Sequence, residues 1–395
     1  MIDASVVGSL DLVLKELGKV TERDYIAAYE RRLQSFMAQM TATNVDAAVL
    51  TFGAEVPWLI GYEPMPLERV TALVLRHNEA PVLLVPEIEA PRVRTRGDLF
   101  ELLPWREGAD PFELLERRLQ GAREIVVSDR GWSAWTLTLM ERLDPSTRFQ
   151  RASLLSTPIR RKKDDVEMLT LAAAAAAADE VALLLQGGEI RFRGRTERDL
   201  SDEIGRRLVA FGHRHINFAI VGSGPNSASP HHEASDRTME SGDFVVCDFG
   251  GTFCVNDEPG YCSDTTRTFS IGEPLVESRE LFEVLYRSQE TVRRDLRPGM
   301  TLEAADQLAR SVIDEGGFGD YFIHRLGHGI GLEEHEEPYL APGVSGTLEA
   351  GDAFSIEPGI YLSGRLGARI EDIAVATEDG VISLNTSPRT LTVVD

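Results

Sequence analysis

At 395 residues and 43% hydrophobic content, the chain is long enough for two domains and too apolar for wholesale disorder. Its 64 acidic against 41 basic residues leave a net charge of −23, which excludes nucleic acid and anionic membrane as expected partners. Cys247, Cys254 and Cys262 are an odd set with no CxxC pair, so no disulfide framework is expected and a cytoplasmic location is.

The opening stretch MIDASVVGSLDLVLKELGKV lacks a basic segment followed by an uninterrupted apolar core, so no signal peptide is expected there. Helical periodicity runs over 24–42, and 45–51 reads as a buried strand. The runs 70–76 and 81–87 flank HNEA as a hairpin, 124–129 is a further strand, and 133–143 a helix. No glycine-rich phosphate loop follows these strands, so this part reads as a three-layer α/β domain without chemistry of its own. STPIRRKKDD (156–165) marks a boundary, giving domains 1–157 and 158–395. The apolar run 169–185 is broken by Asp179 and Glu180 and falls short of a membrane span; it reads as an alanine-rich core helix. A second helix covers 196–211, then strands and glycine-rich turns follow. Seven of the eight histidines lie beyond residue 212.

Four stretches there carry candidate chemistry. VVCDFGG delivers Asp248 from an apolar strand, and GYCSDTTRTF places Asp264 among hydroxyl residues and Arg267. HRLGHGIGLEEHEEPYL (324–340) holds His324, His328 and His335; FSIEPGIY and GARIEDIAV set Glu357 and Glu371 in strand patterns. The HxxxH spacing of His324 and His328 matches a helical zinc pair, but Gly327, Gly329 and Gly331 speak for strand and turn. A carboxylate in an apolar strand is costly unless paired, protonated or metal-bound. Arg267 and Arg369 are available as plain salt-bridge partners. Four carboxylates and one imidazole exceed what one zinc takes and suit two divalent ions, with manganese or magnesium favoured by the oxygen ligands.

In this order the motifs resemble those of the pita-bread metallopeptidases (creatinase, prolidase, aminopeptidase P), and are most similar to Xaa-Pro dipeptidases of the bacterial prolidase type. GSGPNSASPHHEASDR (222–237) adds a fifth match, and the first 155 or so residues resemble the creatinase-like N-terminal domain. The resemblance implies an α+β chain: a creatinase-like α/β domain followed by a pita-bread catalytic domain. It implies a dinuclear centre held by Asp248, Asp264, His328, Glu357 and Glu371, most readily Mn2+, with Co2+ or Zn2+ as alternatives. Asp264 and Glu371 would bridge, and Glu357 would also help deprotonate the attacking water. His231 and His335 would contact the substrate at the scissile carbonyl, with Arg369 and Tyr361 in support. The implied reaction is hydrolysis of dipeptides with C-terminal proline by a homodimer, through a hydroxide held by both ions. The alternatives are an Xaa-Pro aminopeptidase on longer peptides, a hydrolase or lyase of a small non-peptide compound, and an inactive binding module.

In one respect the chain departs from the pattern. The family's two aspartates lie about eleven residues apart, a hairpin length, whereas Asp248 and Asp264 are sixteen apart. The extra residues, in TFCVNDEPG, are expected to lengthen a hairpin loop at the mouth of the site, with Asp257 a less favoured ligand. The cysteines read as packing residues, and His77, His213 and His215 as surface or packing. Glu336 and Glu337 are expected in solvent, where they could attract an ammonium group. His232 and His324 are left open between roles.

Overall fold

The computed structural model describes residues 7–395, so the first six residues of the stretch read for a signal peptide lie outside it. The chain divides into two compact units at Arg160/Arg161, three residues beyond the expected boundary.

The N-terminal unit comprises Val20–Arg160 together with the tripeptide Asp257–Pro259. Its sheet contains β1 (Ala47–Leu50), β2 (Ala72–Arg76), β3 (Val82–Pro86), β4 (Glu101–Trp105), β5 (Glu124–Val127) and β6 (Arg148–Arg151), in the order β4-β3-β2-β1-β5-β6. The β2–β3 hairpin around HNEA forms as the pattern indicates. All four residues of β1 are buried because it pairs on both edges, antiparallel to β2 and parallel to β5, under helices. Ala47 and Val49 pack with Leu115, Leu119 and Leu139. The boundary segment 156–165 is helical in its first half, within Ser153–Arg160, with Pro158 inside.

The second unit comprises helix α1 (Leu10–Leu17), Arg161–Asn256 and Gly260–Asp395. Helix α1 falls here, not with the first domain, because Val13 and Leu17 are buried where it packs on the alanine-rich helix Asp165–Gln186. Asp164 caps that long helix, accepting from the amides of Val166 and Glu167 at 3.0 Å. The helix is long and apolar enough to cross a membrane, yet 78% of its most apolar window is buried inside the protein. Its Asp179 is satisfied there, accepting from the side chains of Asn385 at 3.1 Å and Ser387 at 2.6 Å.

Two sheets and a hairpin carry the site. The first contains β7 (His213–Ser223), β8 (Phe244–Phe253), β10 (Thr265–Ile271) and β18 (Thr392–Val394), with the short β9 (Tyr261–Cys262) paired to β8. The second runs β12-β11-β13-β16-β17: Glu336–Leu340, Gly327–Gly329, Ala353–Ile356, Asp372–Ala376 and Val381–Ser383. The hairpin is β14 (Gly359–Leu362) with β15 (Leu366–Arg369). An isolated bridge, Thr266 to Glu371, joins the sheets where the candidate ligands converge.

The insertion between the two aspartates is shared between the two units. Its tip clusters with the N-terminal unit, where Glu258 accepts two hydrogen bonds from Arg96, each 2.8 Å, and one from Tyr29 at 2.7 Å. Glu336 is also buried rather than solvated, paired with Lys163.

Candidate metal centre

The β8–β10 hairpin sets Asp248 directly opposite Thr266, with Asp264 just before β10 begins. Glu357 and Glu371 stand past strand ends rather than inside strands. Pro358 follows Glu357 and has no N–H to continue a ladder. The Glu371 amide donates to Thr266 O across the sheet boundary, at 3.1 Å.

His328 sits on β11 between two glycines that permit close backbone approach. A Cβ on Gly327 would fall 1.9 Å from Ser355 O, and one on Gly329 2.2 Å from Glu337 O. The Nδ1–H of His328 donates to Gly329 O at 3.0 Å, so Nε2 keeps its lone pair. That nitrogen lies 3.3 Å from Glu357 Oε1 and 3.7 Å from Asp264 Oδ2. Burial, then His335 nearby, lowers the ring to about 3, so it is neutral.

Ligand atoms of Asp264, His328 and Glu371 all lie within 4.8 Å of one another. Glu357 joins them through His328. Asp248 is held to one side: Arg369 Nη2 donates to its Oδ2 at 2.5 Å. Its Oδ1, like Oε1 of Glu371, is buried with no hydrogen-bond partner among the described residues. Orphaned carboxylate oxygens of this kind are expensive unless a cation completes them. Burial, then Glu371 and Asp248, pushes the Asp264 carboxyl well above its ordinary value. Burial, then Glu357 and Asp248, does the same to Glu371, and Glu357 is raised to about 7, chiefly by burial. The donor set and its unmet charge fit divalent cations.

These residues line a cavity of about 710 Å³ in the second unit, together with His231, His324 and His335. His231 and His335 are exposed on it, and the His335 ring lies 4.0 Å from that of His328. Arg369 is buried with its donors committed: besides Asp248, Nη1 reaches Tyr361 OH at 2.7 Å and Nε reaches Thr266 Oγ1 at 3.1 Å. Tyr361 in turn donates to His324 Nε2 at 3.0 Å, and His324 Nδ1–H donates to Arg325 O at 2.7 Å. Burial, then Arg369, lowers His324 to about 3, so this chain holds a neutral ring.

His232 takes a supporting place: its Nε2 meets Glu197, which also accepts from Ser223, Asn226 and Ser235. Among the histidines read as surface or packing, His213 is buried against Ser263 and His77 meets Val45 O. Cys247 and Cys262 are buried free thiols, pushed up by desolvation. Arg325, Glu334, Phe218, Ile220 and Ile323 also line the cavity, without a motif that singles them out in the sequence. Arg325 was discoverable only by position, since it stands three residues before His328; Phe218 and Ile220 alternate along β7 and look like ordinary strand residues.

The model of metallopeptidase family M24 matches residues 170–378, and that of the Creatinase/Prolidase N-terminal domain matches 32–161. The chain is 41% identical over 374 residues to the probable dipeptidase PepE of Mycobacterium tuberculosis, covering 93% of this chain and 96% of that one. The crystal structure of dipeptidase PepE from Mycobacterium ulcerans superposes with a TM-score of 0.86 at 40% identity, over 93% of this chain and 98% of the other. A prolidase from Thermococcus sibiricus does so with a TM-score of 0.84 at 31% identity, over 92% and 98%. Family, fold and the buried donor cluster agree on a peptidase of small peptides that uses divalent metal. The chain belongs to metallopeptidase family M24, with the creatinase-type N-terminal domain and pita-bread catalytic fold that its motifs resemble.

Proposed function

We propose that the chain is an Xaa-Pro dipeptidase with a dinuclear centre held by Asp248, Asp264, His328, Glu357 and Glu371. The observation carrying this reading is the convergence of those five side chains, two with orphaned oxygens, beneath rim histidines. The prolidase and dipeptidase names of its relatives support the substrate class. When bound, two divalent ions supply a strongly nucleophilic water and polarise the carbonyl; Mn2+ is the first candidate, then Co2+ or Zn2+.

The protein's own groups perform the rest. Glu357, oriented by a 3.2 Å bond from Ser355 Oγ, accepts the proton of the attacking water and returns it to the departing proline nitrogen. Arg325 Nη2 donates to His335 Nδ1 at 3.4 Å, and a guanidinium only donates, so a neutral His335 carries its proton on Nε2. That N–H, with His231, stabilises the oxyanion as it develops. Arg369 orients Asp248, and Tyr361 holds Arg369. A proline amide lacks an N–H, and nothing in this arrangement requires one. A homodimer is carried over from the resemblance and is read by sedimentation.

A second reading, an Xaa-Pro aminopeptidase on longer peptides, draws on space. A further cavity of about 570 Å³ shares His231 and Ile220 with the first. The test is metal-stripped protein reloaded with manganese and offered Ala-Pro, a longer Xaa-Pro peptide and creatine. Metal-dependent proline release from Ala-Pro is expected, with two ions per chain; its absence would sink the proposal. His328→Ala should lower metal content, whereas His335→Ala should keep metal and lose on the order of 10²-fold in turnover. Loss of metal from the His335 variant would reverse the two assignments.

A further inference from the structure

The helix Leu302–Glu315 turns an apolar stripe inward: Leu302, Ala305, Ala309 and Ile313 are buried at helical spacing. Asp306 sits within that stripe, 1% exposed, where a carboxylate is costly unless its oxygens are filled. One turn on, Arg310 fills them: Nε donates to Oδ2 at 2.7 Å and Nη2 to Oδ1 at 3.1 Å. The rest of the pair's bonding goes to the main chain of one irregular segment. Arg310 Nη1 donates to Phe322 O and Nη2 to His324 O, both at 2.9 Å. The Leu326 amide donates to Asp306 Oδ1, also at 2.9 Å, and the guanidinium carbon lies 4.2 Å from the centre of the Phe322 ring. Residues 322–326 belong to neither helix nor strand, so no ladder sets their path. Three of them, Ile323, His324 and Arg325, line the cavity.

We propose that Asp306 and Arg310 are positioning residues for the substrate: they fix the wall formed by 322–326 and so set how tightly a dipeptide is held. The inference rests on the peptidase reading above and adds to it a pair that acts only through the main chain of other residues. A buried ion pair gains little stability over well-packed apolar side chains, so its use lies in what it holds in place. Here it holds two carbonyls and one amide of a segment with no regular structure of its own. The groups assigned to metal and to the reacting atoms are carried elsewhere: His328 lies on β11, and Glu357 is oriented by Ser355 Oγ. Loosening the wall therefore raises KM and leaves the bound ions and kcat nearly as they were.

The experiment compares wild type, Arg310→Lys and the double variant Asp306→Leu with Arg310→Met, all manganese-loaded and offered Ala-Pro. The double variant exchanges the pair for apolar side chains, which keeps the helix packed. Its KM should rise about ten-fold, with metal content unchanged and kcat within about three-fold of wild type. Arg310→Lys keeps the charge but loses the fork that spans two carbonyls, and should raise KM by about three-fold. Amide hydrogen exchange over 322–326 should quicken in the same order. A second buried pair, Arg161 with Asp352, separates positioning from general loosening. Arg161→Lys should lower the melting temperature and leave KM alone; a rise equal to that of Arg310→Lys overturns the proposal. An unchanged KM in the double variant, or loss of its metal, overturns it as well. If the double variant does not fold, Arg310→Lys decides by the same KM. Should wild type leave Ala-Pro uncleaved, the dipeptidase reading fails by itself. Calorimetric affinity for Ala-Pro then reads the wall, and equal affinities in wild type and Arg310→Lys sink the positioning role.

Discussion

Asp264, Glu357 and Glu371 share a desolvated space in which not all can be charged without a counter-ion, and this sets how the metal-free protein responds to pH. Each carboxyl is raised above its ordinary value, chiefly by burial, Glu357 to about 7. A folded-state value above the unfolded one means protons bind the native chain more tightly, so that contribution is complete below the ordinary carboxylate range. It is lost as pH rises through the folded values. Metal-stripped protein should therefore melt at falling temperature from pH 5 to pH 8, while manganese-loaded protein changes less. The stabilisation gained on reloading should grow with pH and be accompanied by proton release. A stripped protein whose melting temperature rises across that window would contradict this picture. At this scale the sequence was informative because each ligand carries its own flanking signature: glycines around His328, proline after Glu357. The attachment of Arg369 to Asp248 was not legible, since it joins positions 121 residues apart through tertiary folding alone.

Elements, rather than single residues, place the rim histidines. The segment carrying His231 is organised by Glu197, from the first turn of the helix Glu197–Ala210. Burial alone would raise this carboxyl, but bonds from Ser235, Ser223 and His232 hold it down at about 2. Because the folded value lies below the ordinary one, its stabilisation is present above the usual carboxylate range and disappears as pH falls through about 2. Glu197→Gln should lower the melting temperature at pH 7 by an amount that stays level down to about pH 5, and should raise KM through a looser His231. Unchanged melting and kinetics would show that the segment holds itself. Periodicity in the sequence found the helix carrying Glu197 and the strand pattern of β8, because apolar spacing is local. It missed Glu197 as a hub, since an acidic residue in a first helical turn looks like an ordinary response to the helix dipole. It also placed Glu357 and Glu371 inside strands, as an apolar run does not reveal where its ladder stops.

For the molecule as a whole, two domains in sequence were legible from the shift at STPIRRKKDD, but the true partition was not. Helix α1 looks like a leader to the first domain, and TFCVNDEPG like a surface loop; only burial of Val13 and Leu17, and of Glu258, reassigns them. Glu258 supplies the carboxylate for Arg96, which is 2% exposed. Glu258→Ala in the full chain should cost about 3–5 kcal/mol by stranding a buried guanidinium. Adding Arg96→Met should recover much of that in denaturant unfolding; no recovery would mean that Glu258 acts through something other than the pair.

The division into units has an evolutionary corollary. The polypeptide passes from one unit to the other four times, at 19/20, 160/161, 256/257 and 259/260. The segments matched by the two family models, 32–161 and 170–378, therefore understate what each body needs to be whole. A fusion made at a single junction would leave the catalytic body without its first helix and strand Arg96 in the other. Recombination between distant relatives should accordingly be tolerated only when α1 and the tripeptide Asp257–Pro259 travel with the body each completes, which makes this chain a poor donor of interchangeable cassettes.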